Sequence, residues 1–361
     1  MRALITILDN ITETSMPFNE FVLYRATHYP DEKQILIVCG PKQELPKVDV
    51  PDDLEIMFAG KNIWNIRKTI KSAVRKCKDT GLEFSFHLHQ VQSGFLAQIA
   101  MAGTGFGKKT LFTVHSTFSG YKFHNKVLSY FNALCAQRIA CVSNASYQDY
   151  PKSIKRLKKD RLFALQNGVD TERIDVVIKN TPVGSHEGVR FIYVARLIPI
   201  KNHKFLVDVI KKCNEGVRFV FVGEEDKERS VRTKAREEGV SDRITFTGLI
   251  PRNEVFEQLM NSDYYISSST LEGLPVSVLE GMYCGLPCIL SDIPQHKEIA
   301  EDKAAVLPYD IDVWASKINE MASYSSDIRA KMSSEIKEYV MLNYSLRKMH
   351  EKYDRVYELL R

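Results

Sequence analysis

The stretch "DYYISSSTLEGLPVSVLEGMYCG", residues 263–285, places a strand, a loop and a helix in direct succession. Its first residues form an apolar run of strand length. Pro275 suits the first position of a helix, because the N–H group that proline lacks would have no intrahelical acceptor there. Gly285 suits the left-handed position after the last turn. The stretch therefore predicts a buried strand followed by a helix over about residues 275–284, which is the repeating unit of an α/β fold.

The same alternation extends along the whole chain. The first half contains the strand-like runs "ALITIL", "QILIVC", "FSFHLH", "TLFTVH", "RIACVS" and "RLFALQ", and a second series contains "VRFIYVA", "VRFVFVG", "RITFTG", "DYYISSS" and "LPCILSD". Near-continuous apolar runs of this kind are typical of strands buried on both faces of a parallel sheet. Two such series, with helical patterns between the strands, predict an α/β chain of two doubly wound, Rossmann-like domains.

The chain length agrees with two domains. At 361 residues the chain exceeds the roughly 250–300 residues at which one hydrophobic core stops growing. We place the first domain at residues 1–168 and the second at 169–344, although the polar segment 179–190 is a competing linker. A final helix is predicted over about residues 345–361, and it packs either back on the first domain or on the second.

Composition narrows the class of protein. The chain is 44% hydrophobic and 26% charged, as is usual for soluble globular proteins, and no apolar run approaches the roughly 20 residues of a membrane span. The seven cysteines include no C-x-x-C pair, which favours reduced thiols in a cytoplasmic protein over a metal site. Residues 1–180 hold 25 Lys and Arg against 17 Asp and Glu. The first half therefore favours an anionic partner or membrane surface.

The loop and first turn of the opening stretch offer backbone N–H groups to an anion. The first N–H groups of a helix lack intrahelical acceptors, and the helix dipole favours negative charge beside them. Here these groups belong to Gly273, Leu274, Val276 and Ser277. Phosphate is the anion that such helix starts commonly bind, so we expect a phosphate site before this helix.

Two glutamates stand eight positions apart in the same stretch, which contains no Lys or Arg. Glu280 falls on an apolar stripe of the helix, where an unpaired carboxylate would cost several kcal/mol. The two hydroxyls of a ribose would satisfy its oxygens, as they do for acidic residues of dinucleotide-binding folds. Glu272 precedes the phosphate site and would meet a group attached to that phosphate. The alternative is that Glu280 bonds a backbone amide or a buried lysine and that Glu272 is solvated.

A second stretch, "IYVARLIPIKNH", places two cations after another buried strand. Arg196 and Lys201 would be solvated loop residues in most proteins. Here they follow the carboxyl end of a strand, where doubly wound folds bind ligands. A cation about 4 Å from a phosphate is worth roughly 4 kcal/mol at an effective dielectric constant near 20, before desolvation. The two cations and the helix start together indicate a diphosphate site.

These residues resemble the signature of a known family. Arg196 and Lys201, followed by "EGLPVSVLE" at 272–280, are similar to the signature of retaining glycosyltransferase family 4. The resemblance extends over the second half through "ITFTGLIPRNEV", "EGMYCGLPCILSD" and "HKEI". It implies the GT-B fold, in which two Rossmann-like domains face each other across a cleft.

The resemblance also implies roles for single residues. The two cations would bind the donor's diphosphate, Glu280 its ribose, Glu272 the donor sugar, and the segment Gly248, Leu249 and Ile250 would lie by the base. In the first half, "TLFTVHS" places His115 where the family has a histidine beside the transferred sugar. The implied catalytic residues are Glu272, Arg196, Lys201 and His115, and the implied donor-binding residues are Arg196, Lys201, Gly248, Leu249, Ile250, Gly273, Leu274, Val276, Ser277 and Glu280.

The chain departs from the family in two loops. The family's glycine pair after the first strand is absent, and Ser15 and Met16 occupy that place in "LDNITETSMPFNE". The second departure is "VGEEDK", where the family often has G-x-G. The first departure affects the phosphate contact expected from the first domain. The second affects details of the loop that binds the donor.

The implied reaction moves a hexosyl unit from a nucleoside diphosphate sugar to an acceptor hydroxyl with retention at the anomeric carbon. A UDP-sugar is favoured over GDP-mannose as donor, and a lipid-linked saccharide of bacterial surface polysaccharide assembly is favoured as acceptor. The family is thought to attack from the face of the leaving group, with a phosphate oxygen taking the acceptor's proton. Domain closure would exclude water and bring His115 to the donor. Because fixed cations neutralise the leaving group, we expect no metal and no cofactor.

A basic segment suggests where an acceptor would be met. Residues 61–78, "KNIWNIRKTIKSAVRKCK", hold seven cations and no acid, with apolar residues at helical spacing, and residues 151–161 add six cations. One interpretation is a helix lying on an anionic membrane surface at the inner face of the cell membrane. The other is a helix packed on the core with a solvated basic face.

Two other functions remain open at this point. The same fold is compatible with a nucleotide-sugar epimerase or hydrolase, which would form product without an acceptor. A non-catalytic binding module is the second. Binding to nucleic acid is not expected, because no aromatic and basic interleaving or recognised nucleic-acid motif is present.

Overall fold

The computed structural model describes residues 2–12, 17–42, 50–181, 184 and 186–360. The chain divides into two compact units. The first consists of Met1–Asn167 with Met349–Arg361, and the second of Gly168–Lys348. The polar segment 179–190, which competed as a linker, thus falls inside the second unit.

The first unit is built on a seven-stranded sheet in which all strands are parallel. Its strands are β1 (Arg2–Leu8), β2 (Glu32–Val38), β3 (Glu55–Phe58), β4 (Glu83–Leu88), β5 (Thr110–Val114), β6 (Arg138–Cys141) and β7 (Leu162–Ala164). Its helices are α1 (Tyr24–His28, preceded by a wider helical segment, Pro17–Leu23), α2 (Ile63–Asp79), α3 (Val91–Met101), α4 (Phe123–Cys135), α5 (Asn144–Asp149) and α6 (Lys152–Leu157).

The second unit contains a six-stranded sheet, again all parallel. Its strands are β8 (Val189–Val194), β9 (Val217–Val222), β10 (Ile244–Gly248), β11 (Tyr264–Ser267), β12 (Cys288–Ser291) and β13 (Ala304–Leu307). Its helices are α7 (Thr171–Asn180), α8 (His203–Ile210), α9 (Ser230–Glu237), α10 (Arg252–Met260), α11 (Val276–Tyr283), α12 (Pro294–Ala300), α13 (Ile311–Ala322) and α14 (Ser326–Tyr344). A last helix, α15 (Leu346–Glu358), follows.

The strand orders confirm two doubly wound units. The sheets run β3-β2-β1-β4-β5-β6-β7 and β10-β9-β8-β11-β12-β13, and in each the order reverses direction once. The reversal lies between β1 and β4 in the first unit and between β8 and β11 in the second. Ligands of doubly wound sheets bind outside the carboxyl ends of the strands at such a reversal. The second unit therefore has its binding position where the loops after β8 and β11 meet.

The two strands that the sequence did not predict are edge strands. β3 and β13 have four residues each, and all of these residues are partly exposed. An edge strand is covered less completely than a central one, which agrees with the partial exposure of both strands.

Helix α15 is anchored to the first unit by buried charges. The Asp354 carboxylate accepts hydrogen bonds from the Arg2 and Arg25 guanidinium groups, each at 2.8 Å. Arg25 is fully buried and also pairs with Glu32. Burial alone would raise the pKa of Asp354, but Arg25 and Arg2 hold that pKa below its usual value. Removing Arg25 would leave two carboxylates, Glu32 and Asp354, with Arg2 as their shared counterion, which is unfavourable for charges that are largely buried.

Helix α11 begins one residue later than predicted. Val276 is its first helical residue, and Pro275 is the N-cap, with φ −77° and ψ 93°. Pro275 still ends the strand-to-helix loop, because its carbonyl accepts the first helical hydrogen bonds from Val278 and Leu279. The left-handed conformation predicted for Gly285 is confirmed by its φ of 81°.

Gly281 allows α11 to approach the sheet closely. A Cβ atom at this position would lie 2.4 Å from the Tyr265 ring on β11. Both residues are buried, so the ring has little room to move away. The absence of a side chain at Gly281 thus sets the distance between the helix and the strand that precedes it.

Gly281→Ala should therefore destabilise the protein by about 1–3 kcal/mol, because the added methyl group overpacks this contact. The measurement is the free energy of unfolding in denaturant. Gly216→Ala is the matched control, since a Cβ at Gly216 meets no atom within 4 Å. Equal stability of the two variants would contradict the close approach.

Candidate functional site

Hydrogen bonds join the loop after β8 to the loop after β11. The Ile200 carbonyl accepts from the Thr270 backbone N–H at 2.8 Å and from the Thr270 hydroxyl at 3.2 Å. The Lys201 carbonyl accepts from the Ser268 hydroxyl at 3.1 Å and from the Tyr193 hydroxyl at 3.0 Å. The backbone that carries the two predicted cations is thereby fixed against the backbone that carries Glu272.

Lys201 and Glu272 form an ion pair across these loops. The Lys201 Nζ lies 2.5 Å from Glu272 Oε1, and the two side chains are 19% and 10% exposed. The alternative that Glu272 is merely solvated is therefore wrong. The pairing arises because Lys201 and Glu272 lie 71 positions apart in the chain but follow adjacent strands of the sheet.

Arg196 differs from Lys201 in its surroundings. Its side chain is exposed, and it makes no ion pair or side-chain hydrogen bond within the part of the chain that the structure describes. It follows β8 directly, five residues before Lys201. A guanidinium in this state is available to an anion at the carboxyl end of β8 without first breaking another contact.

Glu280 also has a partner that the sequence did not reveal. Its Oε1 lies 2.5 Å from Arg252 Nη2, and the side chains of Glu280 and Arg252 are 7% and 15% exposed. The alternative from the sequence, a backbone amide or a buried lysine as partner of Glu280, is corrected to a largely buried arginine. Arg252 is the first residue of α10 and follows the Gly248–Ile250 segment closely, so it brings Glu280 and that segment together.

Burial and charge act in opposite directions on Glu280. Burial raises the pKa of its carboxyl, while Arg252 and then Arg173 lower it, and the net shift is upward. Arg173 is held on α7 and donates a hydrogen bond to the Asn253 side chain at 3.2 Å. Two guanidinium groups thus favour the ionised carboxylate at a position where burial disfavours it.

The sequence contained a pattern that indicates an acidic partner for Arg252. A cation in the first turn of a helix lies beside the positive end of the helix dipole, which is unfavourable unless an acid lies nearby. Arg252 stands at such a position after Pro251. The pattern indicates a missing acid, but not that the acid is Glu280.

The predicted anion-binding residues lie at the start of α11. Leu274 is buried, whereas Gly273, Val276 and Ser277 are half-buried. The Ser277 hydroxyl accepts a hydrogen bond from Tyr265 at 3.0 Å. The eight-residue helix α11 starts four residues after Glu272, and its first-turn N–H groups are oriented along the helix axis as an anion site requires.

The segment predicted to lie by the base ends strand β10. Gly248 has φ 69°, a conformation that favours glycine, and its carbonyl accepts from the Gly223 N–H at 3.0 Å. Leu249 is 68% exposed, and Ile250 is half-buried. An exposed leucine beside a partly buried isoleucine provides an apolar surface of the kind on which a planar ring stacks.

His115 belongs to the first unit, where it follows β5. Its Nε2 lies 3.0 Å from Nδ1 of His89, which follows the neighbouring strand β4. Burial lowers the pKa of His115 to about 4, so the ring is neutral at pH 7. Ser15 and Met16, predicted for the loop after β1, lie outside the described residues.

The described residues contain neither a metal-binding cluster nor a membrane-spanning helix. No group of three or more His, Cys, Asp or Glu side chains is arranged to hold a metal ion in the portion of the chain that the structure covers. Within the same residues, no helix has the length and apolar character needed to cross a bilayer.

Arg252→Met should destabilise the second unit by about 3 kcal/mol, because it leaves Glu280 buried without its nearest counterion. The double variant Arg252→Met/Glu280→Gln should recover much of this loss, as a chemical denaturation cycle would show. Lys211→Met, which breaks an exposed ion pair with Glu238, is the control and should barely change the unfolding midpoint. Additive effects of the two changes at Arg252 and Glu280 would contradict the pairing.

Known proteins resemble this chain in its second unit by family and in its whole length by fold. Residues 179–339, within the second unit, match the family model described as glycosyl transferases group 1. A capsular polysaccharide biosynthesis glycosyltransferase, CapH of Staphylococcus aureus, is 29% identical over 216 residues, which are 57% of this chain and 58% of that protein. The Escherichia coli UDP-Gal:alpha-D-GlcNAc-diphosphoundecaprenol alpha-1,3-galactosyltransferase is 29% identical over 290 residues, 73% of each chain.

Solved structures extend the similarity to the whole chain. The crystal structure of Anabaena HepE in complex with UDP and glucose superimposes with a TM-score of 0.76 over 98% of this chain and 99% of HepE, at 13% identity. That likeness establishes the fold, and the family match establishes the nature of the second unit. The resemblance predicted from the sequence is thus confirmed in two respects: the chain has the GT-B fold, and residues 179–339 of its second unit match the group 1 glycosyltransferase family.

Proposed function

We propose that the protein transfers a hexosyl unit, with retention of anomeric configuration, from a nucleoside diphosphate sugar to a saccharide acceptor in bacterial surface polysaccharide synthesis. The observation that carries this proposal is the Lys201–Glu272 pair beside the start of α11. It puts a cation, backbone N–H groups and a carboxylate at the reversal point of the second sheet. A sugar diphosphate needs these three kinds of group at one place.

Charge stabilisation of the leaving group is the main catalytic contribution in this proposal. As the bond from the anomeric carbon to the diphosphate oxygen breaks, negative charge develops on the diphosphate. Arg196, Lys201 and the first-turn N–H groups of α11 neutralise that charge from fixed positions. The acceptor hydroxyl oxygen forms the new bond on the same face, and its proton passes to a phosphate oxygen.

The ion pair of Lys201 adds a step to donor binding. In the structure Lys201 is engaged by Glu272, so an incoming diphosphate competes with that carboxylate for the ammonium group. Once the phosphate has replaced Glu272 as the ion-pair partner of Lys201, the Glu272 carboxylate is released toward the sugar. Lys201 thereby couples the arrival of the diphosphate to the orientation of the carboxylate that meets the hexose.

Glu280 takes the ribose of the donor in this proposal. Two adjacent ribose hydroxyls each donate a hydrogen bond to a carboxylate oxygen, provided that the carboxylate is ionised. Arg252 and Arg173 favour that state. The base then lies by Gly248–Ile250, which precede Arg252 in the chain, so one cation links the ribose site and the base site.

Relatives favour a UDP-sugar over GDP-mannose. The Escherichia coli relative is named for UDP-Gal and a diphosphoundecaprenol-linked acceptor, and the HepE complex contains UDP and glucose. We extend both features to this chain as a proposal: the donor is a UDP-hexose, and the acceptor is a lipid-linked saccharide reached from the cytoplasmic face of the membrane.

The exposed side of α2 supports a membrane-surface role for the first unit. Ile66, Ile70 and Val74 are buried in the core of that unit, so the core-packing interpretation of the helix is correct for these three. Trp64, in its first turn, is 77% exposed, and a row of cations is exposed along the helix, namely Lys68, Lys71, Arg75, Lys76 and Lys78. An exposed tryptophan beside exposed cations is the composition that anionic lipid surfaces attract.

Substitution of donor-site residues should separate binding from turnover. Arg196→Ala should lower kcat by about 10²–10³, because a group that stabilises the leaving group is lost. Glu280→Ala should mainly raise KM for the donor, by about tenfold or more, because hydrogen bonds to a charged group are lost. Lys204→Ala, an exposed cation in the first turn of α8, is the matched control. Wild-type kinetics for both Arg196→Ala and Glu280→Ala would refute the site.

A transfer assay should show product only when a saccharide acceptor is present, with the anomeric configuration of the donor preserved in the new bond. Proton NMR of the product measures that configuration. Turnover should be unchanged by EDTA, because Arg196, Lys201 and the α11 amides supply the positive charge. Donor consumption without acceptor would instead indicate a hydrolase or epimerase, and loss of turnover in EDTA would contradict the absence of a metal.

Liposome flotation tests the membrane surface. The protein should float with vesicles containing anionic lipid at low salt and remain unbound with neutral vesicles. The triple variant Lys68→Glu/Lys71→Glu/Arg75→Glu should bind roughly a hundredfold more weakly, since each cation near the surface contributes about 1 kcal/mol. The control, with the same change in net charge on the second unit, is Lys179→Glu/Lys204→Glu/Lys211→Glu. Equal flotation of both variants, or none by the wild type, would contradict this role.

A further inference from the structure

His89 is the residue whose position most directly constrains His115. The two histidines follow β4 and β5, which are adjacent parallel strands, and their rings lie 5.3 Å apart at an interplanar angle of 28°. His89 Nδ1 and His115 Nε2 are separated by 3.0 Å, a distance at which one nitrogen donates a hydrogen and the other accepts it. Only one hydrogen occupies that contact when both rings are neutral.

Both rings are neutral at pH 7. Burial lowers the pKa of His115 to about 4, and burial, then His87 and His115, lower the pKa of His89 well below its ordinary value. Each neutral ring carries a hydrogen on one nitrogen and a lone pair on the other. The contact therefore has two arrangements, which differ in which histidine is the donor.

The other nitrogen of His89 decides between them. His89 Nε2 is buried and has no hydrogen-bond partner among the residues that the structure describes. A buried N–H group without an acceptor is rarer in proteins than an acceptor without a donor. The hydrogen of His89 thus belongs on Nδ1, where it is donated to His115, and Nε2 is left with its lone pair.

We propose that His89 is a positioning residue that fixes His115 as its Nδ1–H tautomer. Because His115 Nε2 accepts from His89, the hydrogen of His115 is carried on Nδ1. That nitrogen has no partner among the described residues, and the His115 residue is only half-buried. His115 accordingly offers a neutral N–H donor and no positive charge.

This tautomer has a consequence for sugar transfer, and here the inference rests on the proposed function. Transition states at an anomeric carbon carry positive charge on the sugar ring. A neutral N–H donor holds a sugar oxygen without adding a like charge beside that ring, whereas a protonated imidazole would oppose its formation. His89 therefore serves the reaction by determining which nitrogen of His115 meets the substrate.

His87 belongs to the same cluster, but both of its ring nitrogens already have hydrogen-bond partners. Its Nε2 lies 2.7 Å from the Thr113 hydroxyl and its Nδ1 lies 2.7 Å from the Tyr357 hydroxyl. The centroid of the His87 ring lies 3.7 Å from that of the His89 ring. His87 therefore packs against His89 and helps to hold the orientation of its ring. Because His87 does not contact His115 through a hydrogen bond, Thr113 is a suitable control position.

The tautomer is measured directly on the full-length protein labelled with ¹⁵N-histidine. Long-range ¹H–¹⁵N correlation spectra at pH 7.5 distinguish protonated from bare ring nitrogens, and His115→Gln assigns the His115 signals by their loss. The expected result is a protonated Nδ1 and a bare Nε2 on His115. A protonated Nε2 on wild-type His115 overturns the inference, and this measurement needs no variant of His89.

Three variants test the role of His89. His89→Phe keeps an aromatic ring but removes the donor, so His115 should leave the Nδ1–H state and kcat should fall about tenfold, the loss of one hydrogen bond's worth of stabilisation. His89→Asn should restore both, since its amide N–H takes the place of Nδ1–H. Thr113→Val, which removes the contacts of the Thr113 hydroxyl with His87 and Tyr353 but leaves the His89–His115 contact in place, should change neither. A His89→Phe protein that keeps the Nδ1–H signal, or that loses it with unchanged kcat, contradicts the positioning role.

The outcomes for His89 and for the proposed function are separable. If His115→Gln retains full turnover while the wild-type spectrum shows the Nδ1–H tautomer, the role of His115 at the sugar is wrong and the structural effect of His89 stands. If His115→Gln is inactive while the spectrum shows Nε2–H, the transferase assignment stands and the inference about His89 falls.

Discussion

The carbonyl oxygen of Ile200, which accepts two hydrogen bonds from Thr270, holds together the two loops on which the donor site depends. One loop carries Arg196 and Lys201, and the other carries Glu272 and leads into α11. Backbone groups make this junction, so the positions of the charged side chains are set by the sheet rather than by their own attraction. A site assembled in this way keeps its geometry while its charges exchange partners with a ligand.

Both glutamates of the site are paired with cations from elsewhere in the chain, and the two pairs differ in purpose. Lys201 and Glu272 are partly exposed and lie at the point where a diphosphate would arrive, so their contact is open to competition. Arg252 and Glu280 are more deeply buried, and there the cation offsets the burial that raises the pKa of the carboxyl. In the proposed function, the first pair exchanges partners with the diphosphate, whereas the second stays in place beside the ribose.

In the first unit, the corresponding side chains are neutral rather than charged. Its histidines stand at the ends of adjacent strands, and burial keeps them uncharged, so hydrogen-bond direction rather than charge determines what His115 presents. The buried cation Arg25 is matched by Glu32 and Asp354, which ties α15 to this unit. In both units, a largely buried arginine is thus paired with a carboxylate before any ligand is present, Arg25 with Glu32 and Arg252 with Glu280, as the cost of an unpaired buried charge requires.

The amino-acid sequence by itself determined the α/β class, the central strands of both sheets and the helix after Pro275, and it predicted an anion site from Arg196, Lys201, Glu272 and Glu280. These features follow from local rules: continuous apolar runs for doubly covered strands, and proline and glycine at helix ends. Only the tertiary structure decided that Lys201 meets Glu272, that Arg252 meets Glu280 and that His89 meets His115. Each of these pairs joins residues that are distant in the chain, and their meeting depends on strand order, which no local pattern contains.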